Sequence, residues 1–546
     1  ASSAASDVYK RQEGWYNNKE MQDLYSIELA RRGYVVLALD LHSHGDSESL
    51  SIAELYDGAV GVDGAVQLIA SLPYVDTARI GVTGHSSGGT AANMAVEIDN
   101  SRETPLIASV LQQAGDWQDD TGGDHSGDYG SRSVGIIAST HDDFYFGTYD
   151  DAGNMLTNPA AFMETDGAKK FLNFNEDGFA GIAEGGKYYT RDFDGKTAYR
   201  VIYRPNMIHP LVAFSTTCVG YAVDFFDTTL GAPKPLPASD QIWPIKAVFN
   251  SLGVIGLLIF MVSFTLVLLD TPVFSALRSG EIVQPAPVQD SGAKAWYWVL
   301  LIIGAVFSGA SFLFCMNTVY SKTTNFFVQT GPLTIGTWAA LCGVFAIFCS
   351  AVFYGAYGKK HGWSARRAGL YLNLEQLWKT IALAVIVIVV SFGLVFAAHY
   401  FFQVDYRMYV VAFKTFGADK VLIALRYLPF FLLFYVMNSI SANCFNYNTI
   451  GGKNGNILIF AFFNALGAIF VVASQYIYFY TTGYQLYGLT EGQRIGPIWL
   501  FPCMVLLFVT PIMSRIIYKR TRNPYIAGLI NAMFIVMISC SNTTTI

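Results

Sequence analysis

Ile80-Gly81-Val82-Thr83-Gly84-His85-Ser86-Ser87-Gly88-Gly89-Thr90 is the stretch on which the fold turns. Ile80–Thr83 is a short apolar and β-branched run, the pattern of a strand buried on both faces. Thr90–Ile98 then reads as helix. Between them, Gly84-x-Ser86-x-Gly88 sets a serine on a strand-to-helix turn. Such a turn lifts a hydroxyl clear of the sheet, and flanking glycines spare it the clash of a Cβ. The helix N-terminus then offers backbone N–H groups to a developing oxyanion. The pentapeptide is a weak signal in a chain with 50 glycines, and its meaning comes from the strand before it and the helix after it.

Working outward, Tyr34-Val35-Val36-Leu37-Ala38-Leu39-Asp40 reads as another strand buried on both faces. An amphipathic helix over Lys19–Arg32, closed by Gly33, precedes it, and a helical stretch at 51–71 follows. Further apolar strands are expected at 106–112, 134–139 and 199–203. Strands that alternate with helices predict an α/β fold with a doubly wound, mostly parallel sheet.

The charge is divided unevenly along the 546 residues. Residues 1–240 hold 34 of the 41 acidic side chains and 16 of the 35 basic ones, whereas 241–546 hold 7 and 19. An acidic half therefore precedes a basic, apolar half, and the acidic half would repel the phosphates of a nucleic acid. Cys218 is the only cysteine of the acidic half, so no disulfide can form within it, and no spacing suggests a zinc site.

From residue 246 onward, apolar runs of bilayer-spanning length recur. Eight are expected, near 246–269, 296–317, 332–355, 380–402, 420–438, 456–480, 497–517 and 525–541. Numbered after each span, the odd loops carry Arg278, Lys294, Lys359, Lys360, Arg366, Arg367, Lys379, Lys453, Arg515, Lys519, Arg520 and Arg522. The even loops carry only Lys322, Arg407, Lys414, Lys420 and Arg494. Basic loops stay in the cytoplasm, which predicts an extracytoplasmic acidic half. Arg426, His399 and Asp405 are the charges nearest the spans, and they are expected at span ends.

Arg31-Arg32-Gly33 through Asp40-Leu41-His42-Ser43-His44-Gly45-Asp46, together with Gly84–Gly89, resembles the α/β-hydrolase superfamily, of the esterase and dienelactone-hydrolase type. The similarity runs from about Gly14 to Phe226. It implies a nucleophile at Ser86, an acid after the strand Ser133–Ser139, and a histidine after the last strand. Asp142 fits the family's spacing better than its neighbour Asp143, which stands as the alternative acid, and His209 is the matching histidine. The implied oxyanion donors are the backbone N–H groups of Ser87 and Trp15. The family's strand before Glu13-Gly14-Trp15 has no counterpart, so the sheet is expected to lack its first strands. Ala1–Gln12 instead resembles translated adapter read-through.

The organisation expected is thus an extraneous 1–12, a hydrolase domain at 13–232, a Pro-rich linker at 233–245 and a polytopic membrane domain at 246–541. Neither metal nor cofactor is expected: His42-x-His44 fits an ordinary loop, and the stretch with Asp116, Asp119, Asp120, Asp124, His125 and Asp128 fits a solvated one. The long segment 145–197 is placed to form a lid or substrate wall. The function expected is a membrane-tethered serine hydrolase acting on a small-molecule or lipid acyl ester. Two alternatives stand beside it: a transport or sensory protein with a ligand-binding hydrolase-like domain, and an acyltransferase.

Overall fold

The computed structural model describes residues 18–50, 58–118, 123–150, 154–288 and 290–545. It divides into two compact units. The first gathers the chain up to Ala247 with Tyr476–Arg494 and Asn542–Ile546, and the second holds Val248–Gln475 and Ile495–Ser541.

In the first unit, a turn of 3-10 helix at Lys19–Gln22 leads into α1 (Asp23–Arg31). Gly33, at φ 85°, ends that helix, while Tyr34 N bonds back to Leu29 O. Then come α2 (Val62–Ala70), β1 (Ile80–His85), α3 (Ser87–Asn100), β2 (Ile107–Gln113) and β3 (Ser133–Ile137). A small ribbon, β4 (Thr148–Tyr149) with β5 (Met155–Thr157), precedes α4 (Asp166–Leu172). The hairpin β6 (Tyr189–Phe193) and β7 (Lys196–Tyr203) follows, and a turn, α5 (His209–Val212), leads to α6 (Thr216–Leu230). The main sheet runs β1-β2-β3-β7-β6, parallel except for the β6–β7 pair.

Alternation along these strands builds two cores. Val110, Ile136 and Ile202 face one layer with α2, α3, Trp117 and Phe171. Leu111, Ile137 and Val201 face the other with α1 and the α6 residues Cys218, Val219, Phe225 and Phe226. Apolar side chains on both faces of each strand are what a parallel sheet between two helical layers requires. The doubly wound α/β class follows from that burial.

One expected strand does not join the sheet. Tyr34–Asp40 is extended, but among the described residues Val35–Leu39 make no backbone hydrogen bond to a strand. Val35, Val36 and Leu37 are 45%, 37% and 40% exposed. A cavity of about 390 Å³ is lined by Val35–Leu39 and by Ile80–Gly84 of β1. Pairing needs strands about 4.8 Å apart, and among the described residues β1 pairs with β2 alone. Of the helix expected at 51–71, residues 51–57 lie outside the described residues; in the rest, α2 begins at Val62 after a 3-10 turn in which Val60 takes φ 57°.

The Pro-rich segment is clamped to α1. Arg32 donates to Pro237 O at 2.6 Å and Asp240 O at 3.0 Å, and Glu28 Oε1 accepts from Ile242 N at 2.6 Å and Trp243 N at 3.0 Å. These bonds and the ion pairs with Arg31 and Arg32 hold the buried Glu28 carboxyl below its usual range, outweighing the burial that pushes it up.

Among the described residues eight helices are long and apolar enough to cross a bilayer: α7 (Trp243–Leu269), α8 (Ser291–Thr318), α9 (Thr330–Gly358), α10 (Leu374–Phe402), α11 (Ala418–Phe445), α12 (Gly452–Thr482), α13 (Glu491–Thr521) and α14 (Pro524–Ser541). This is the pattern of a multi-pass membrane protein. Six of them separate the N-terminal part of the first unit from its Tyr476–Arg494 segment, and two more precede Asn542.

Arg515 is not a loop residue as its sequence neighbourhood suggests. It lies within α13 at 2% exposure, with Nε on Asn443 Oδ1 at 2.8 Å and Nη1 on Asn456 Oδ1 at 3.0 Å. Its guanidinium stacks 3.9 Å from the Tyr447 ring centre. The C-terminal turn of α11 and the first turn of α12 thus supply the acceptors for that buried cation. Asp405, near the end of α10, pairs with Arg407 at 2.8 Å.

Candidate active site

β1 delivers Ser86 to the sheet's carboxyl edge. Ser86 takes φ 56° and ψ −120° as the residue before α3, a conformation rare for a side chain with a Cβ. The backbone is held there by Ser86 N on Gln113 O at 2.9 Å and Gly89 N on Ser86 O at 2.8 Å. Two glycines make the turn possible, and they are not the symmetric pair of the motif. A Cβ on Gly84 would lie 2.2 Å from the Gly88 carbonyl, and one on Gly89 would lie 2.2 Å from Gln112 Oε1. Gly88 itself faces open space. Ser87 is the first helical residue, so its amide is one for which the helix supplies no acceptor. Trp15, the other expected oxyanion donor, lies outside the described residues.

The turn after β3 carries both candidate acids, each fully buried. Asp142 points at the histidine: Nδ1 of His209 is 3.0 Å from each of its oxygens. Asp142 also accepts from Phe144 N and Tyr145 N at 2.9 Å and from Ser139 Oγ at 3.1 Å. Asp143 faces elsewhere, taking the backbone N–H of His209 at 3.3 Å. Burial, and then the adjacent Asp142 charge, push the Asp143 carboxyl well above the usual range. The two neighbours therefore sit in different surroundings: Asp142 accepts from several donors, while the Asp143 carboxyl is pushed toward its neutral form.

His209 opens the turn α5 at 5% exposure. With its Nδ1–H directed at Asp142, Nε2 is left as the basic nitrogen. Tyr145 stacks on it with ring centres 5.8 Å apart, and Phe144 meets it edge-on at 5.0 Å. His85, next to the serine in the chain, packs its ring 4.7 Å from that of His209 and donates from Nε2 to His209 O at 3.1 Å. Burial, then the neighbouring His209, lower the His85 pKa to about 3, so it is a neutral spacer. Among the described residues no hydrogen bond joins the Ser86 hydroxyl to His209. Such a bond commonly forms only when substrate is bound.

His44 Nδ1 bonds the carbonyl of His42 at 3.0 Å, and His125 Nδ1 bonds Asp128 at 2.8 Å. Among the described residues no group of three or more His, Cys, Asp or Glu side chains is placed to hold a metal ion. Asp119 and Asp120 lie outside the described residues. The segment beyond the acid turn contributes aromatic packing: Phe146 and Trp117 close on Phe162 at 4.8 and 5.8 Å.

A further element has no local signal in the sequence. Tyr476–Arg494, from the end of α12 to the start of α13, belongs to this unit and reaches the acid turn. Tyr480 packs on His141 at 4.4 Å, Gln485 Nε2 donates to Asp143 O at 2.7 Å, and the Arg494 guanidinium covers Tyr149 at 4.7 Å.

Residues 8–236 match the family model described as the alpha/beta hydrolase family. No curated protein and no solved structure matches the chain. The sheet and the serine turn agree with this match: residues 8–236 form an alpha/beta hydrolase family domain, followed by a helical region in which eight of the described helices are of membrane-spanning length.

Proposed function

We propose that the protein is a membrane-tethered serine hydrolase that cleaves carboxylic esters through an acyl-enzyme. The observation that carries this reading is the pairing of Asp142 with His209 Nδ1 at 3.0 Å, beside a serine held at φ 56°. A solvated surface histidine needs no buried, multiply bonded carboxylate behind it. In the reaction, Ser86 Oγ attacks the ester carbonyl while His209 Nε2 takes its proton. Asp142 holds the tautomer and stabilises the imidazolium, and the Ser87 amide receives the oxyanion. His209 then protonates the departing alcohol. Water, deprotonated in turn by His209, releases the acid and restores Ser86.

The side of the membrane is part of the proposal. The odd inter-helix loops carry most of the basic residues, among them Lys359, Lys360, Arg366 and Arg367 between α9 and α10. That bias supports an extracytoplasmic hydrolase unit. The abundance of aromatic side chains around His209, with Phe144 and Tyr145 against its ring, suits an apolar acyl group.

Fluorophosphonate labelling of the full chain in micelles, beside Ser86→Ala and His209→Ala, tests the chemistry. Labelling of the wild type that is lost in both variants is the expected result. A wild type that folds and does not label overturns the enzyme reading, leaving a ligand-binding domain in its place.

A further inference from the structure

The segment Tyr476–Arg494 does more than cover the acid turn. The carbonyl of Asp143 and the N–H of Phe144 belong to one planar peptide unit. Gln485 Nε2 donates to its carbonyl at 2.7 Å, and its N–H donates to Asp142 Oδ1 at 2.9 Å. Asp142 in turn holds His209 Nδ1 at 3.0 Å. A single rigid plane therefore stands between Gln485 and the carboxylate that orients the histidine. A hydrogen bond accepted at the carbonyl also polarises the N–H of that unit toward Asp142.

The surrounding contacts keep the strap on this turn. Phe479 and Tyr480 flank His141 at 5.4 and 4.4 Å, and His141 N bonds Met207 O at 3.2 Å, two residues before His209. Gly483, at φ 78°, lies against Asn158, where a Cβ would come within 2.7 Å of its Nδ2. At the far end, the Arg494 guanidinium lies over Tyr149, whose hydroxyl donates to the same Asp143 carbonyl at 3.4 Å.

We propose that Gln485 is a positioning residue for the Asp142–His209 pair, and that the strap between α12 and α13 makes hydrolase activity depend on the membrane half of the chain. The proposal rests on the serine-hydrolase reading above. It gives the membrane helices a part in catalysis beyond anchorage, because the strap's two ends are continuous with α12 and α13 and can hold the turn only while those ends are held.

The test uses the full chain in micelles and the rate of fluorophosphonate labelling as a function of pH. Gln485→Glu preserves shape but sets an acceptor against the Asp143 carbonyl, so the peptide plane should rotate and withdraw the Phe144 N–H from Asp142. The expected result is labelling slowed roughly 10- to 100-fold. The midpoint of the pH profile should rise, because a less solvated Asp142 and a nearby anion both favour the imidazolium. Unchanged rate and midpoint in Gln485→Glu, with the wild type labelling, overturn the strap proposal and leave the hydrolase reading intact. A wild type that does not label overturns both. Should Gln485→Glu fail to fold, a protease site placed after Tyr487 allows the strap to be cut in the folded protein. Slower labelling after the cut sustains the proposal, and an unchanged rate overturns it.

Discussion

Asp142 and His209, 67 residues apart in sequence, share a contact in which both carboxylate oxygens lie 3.0 Å from one imidazole nitrogen. Asp143, adjacent in the chain and equally buried, meets the backbone N–H of the same histidine and not its ring. The two carboxyls differ in direction and in partners.

Asp142→Asn should therefore abolish most activity, because an amide cannot hold the His209 tautomer; a loss on the order of 10⁴-fold is expected. Asp143→Asn is isosteric and replaces a carboxyl that burial already pushes toward its neutral form, and should keep the rate within about tenfold of wild type. Steady-state hydrolysis of a chromogenic ester by both variants would check the contrast. Equal losses would mean that the two acids act interchangeably.

The buried titratable groups set opposite pH dependences. The Asp143 carboxyl has a raised folded pKa, so its unfolded form loses the proton first as pH rises, and stability falls above the unfolded carboxyl pKa. Asp143→Asn should raise the melting temperature at pH 7, with the gain vanishing at pH values below that pKa. His85 is depressed to about 3 from 6.5, so the unfolded chain binds its proton first and stability falls as pH drops below 6.5. His85→Gln should shift acid unfolding to lower pH. Melting curves across pH 3–8 would read both effects.

Glycine is required at only part of the serine turn. Gly84→Ala would force a Cβ to within 2.2 Å of backbone and should cost about 1–3 kcal/mol or more, with loss of labelling. Gly88→Ala meets nothing within 4 Å and sits in the first turn of α3, where alanine is favoured by about 1 kcal/mol. It should melt at or above the wild-type temperature and still label. An inactive, destabilised Gly88→Ala would contradict this geometry.

In the second unit, Arg515 answers neutral acceptors with its charge. Arg515→Leu strands the Asn443 and Asn456 side-chain oxygens, each costing about 1–3 kcal/mol. Arg515→Lys cannot span both and should also melt lower, though less so. Thermal scans in detergent would check the order wild type, Lys, Leu. A Leu variant as stable as wild type would show that the asparagines find other donors.

The parts of the fold that were legible in the sequence are those in which chemistry and near neighbours coincide. Ile80–Ile98 announces its strand, turn and helix within 19 residues, and the match of residues 8–236 to the hydrolase family agrees with that reading. The eight apolar helices were legible for the same reason, since length and hydropathy are local. Tyr34–Asp40 misled because its composition suits a buried strand, while pairing is decided by what lies beside it. β6 has no such apolar signature, because Tyr189–Phe193 carries charged residues on an edge strand, whereas its partner β7 holds the apolar run at 199–203.

By itself, then, the sequence determined the strand–serine–helix turn, the division into an acidic and an apolar half, and the count of membrane-length helices. Periodicity, hydropathy and steric need at glycine are properties of neighbouring residues. Only the tertiary structure decided which aspartate meets His209, which glycines of the turn are indispensable, and that Gln485 reaches the peptide after Asp143. Those outcomes depend on where distant segments come together, 342 residues apart in the last case, and no local pattern encodes a distance of that kind.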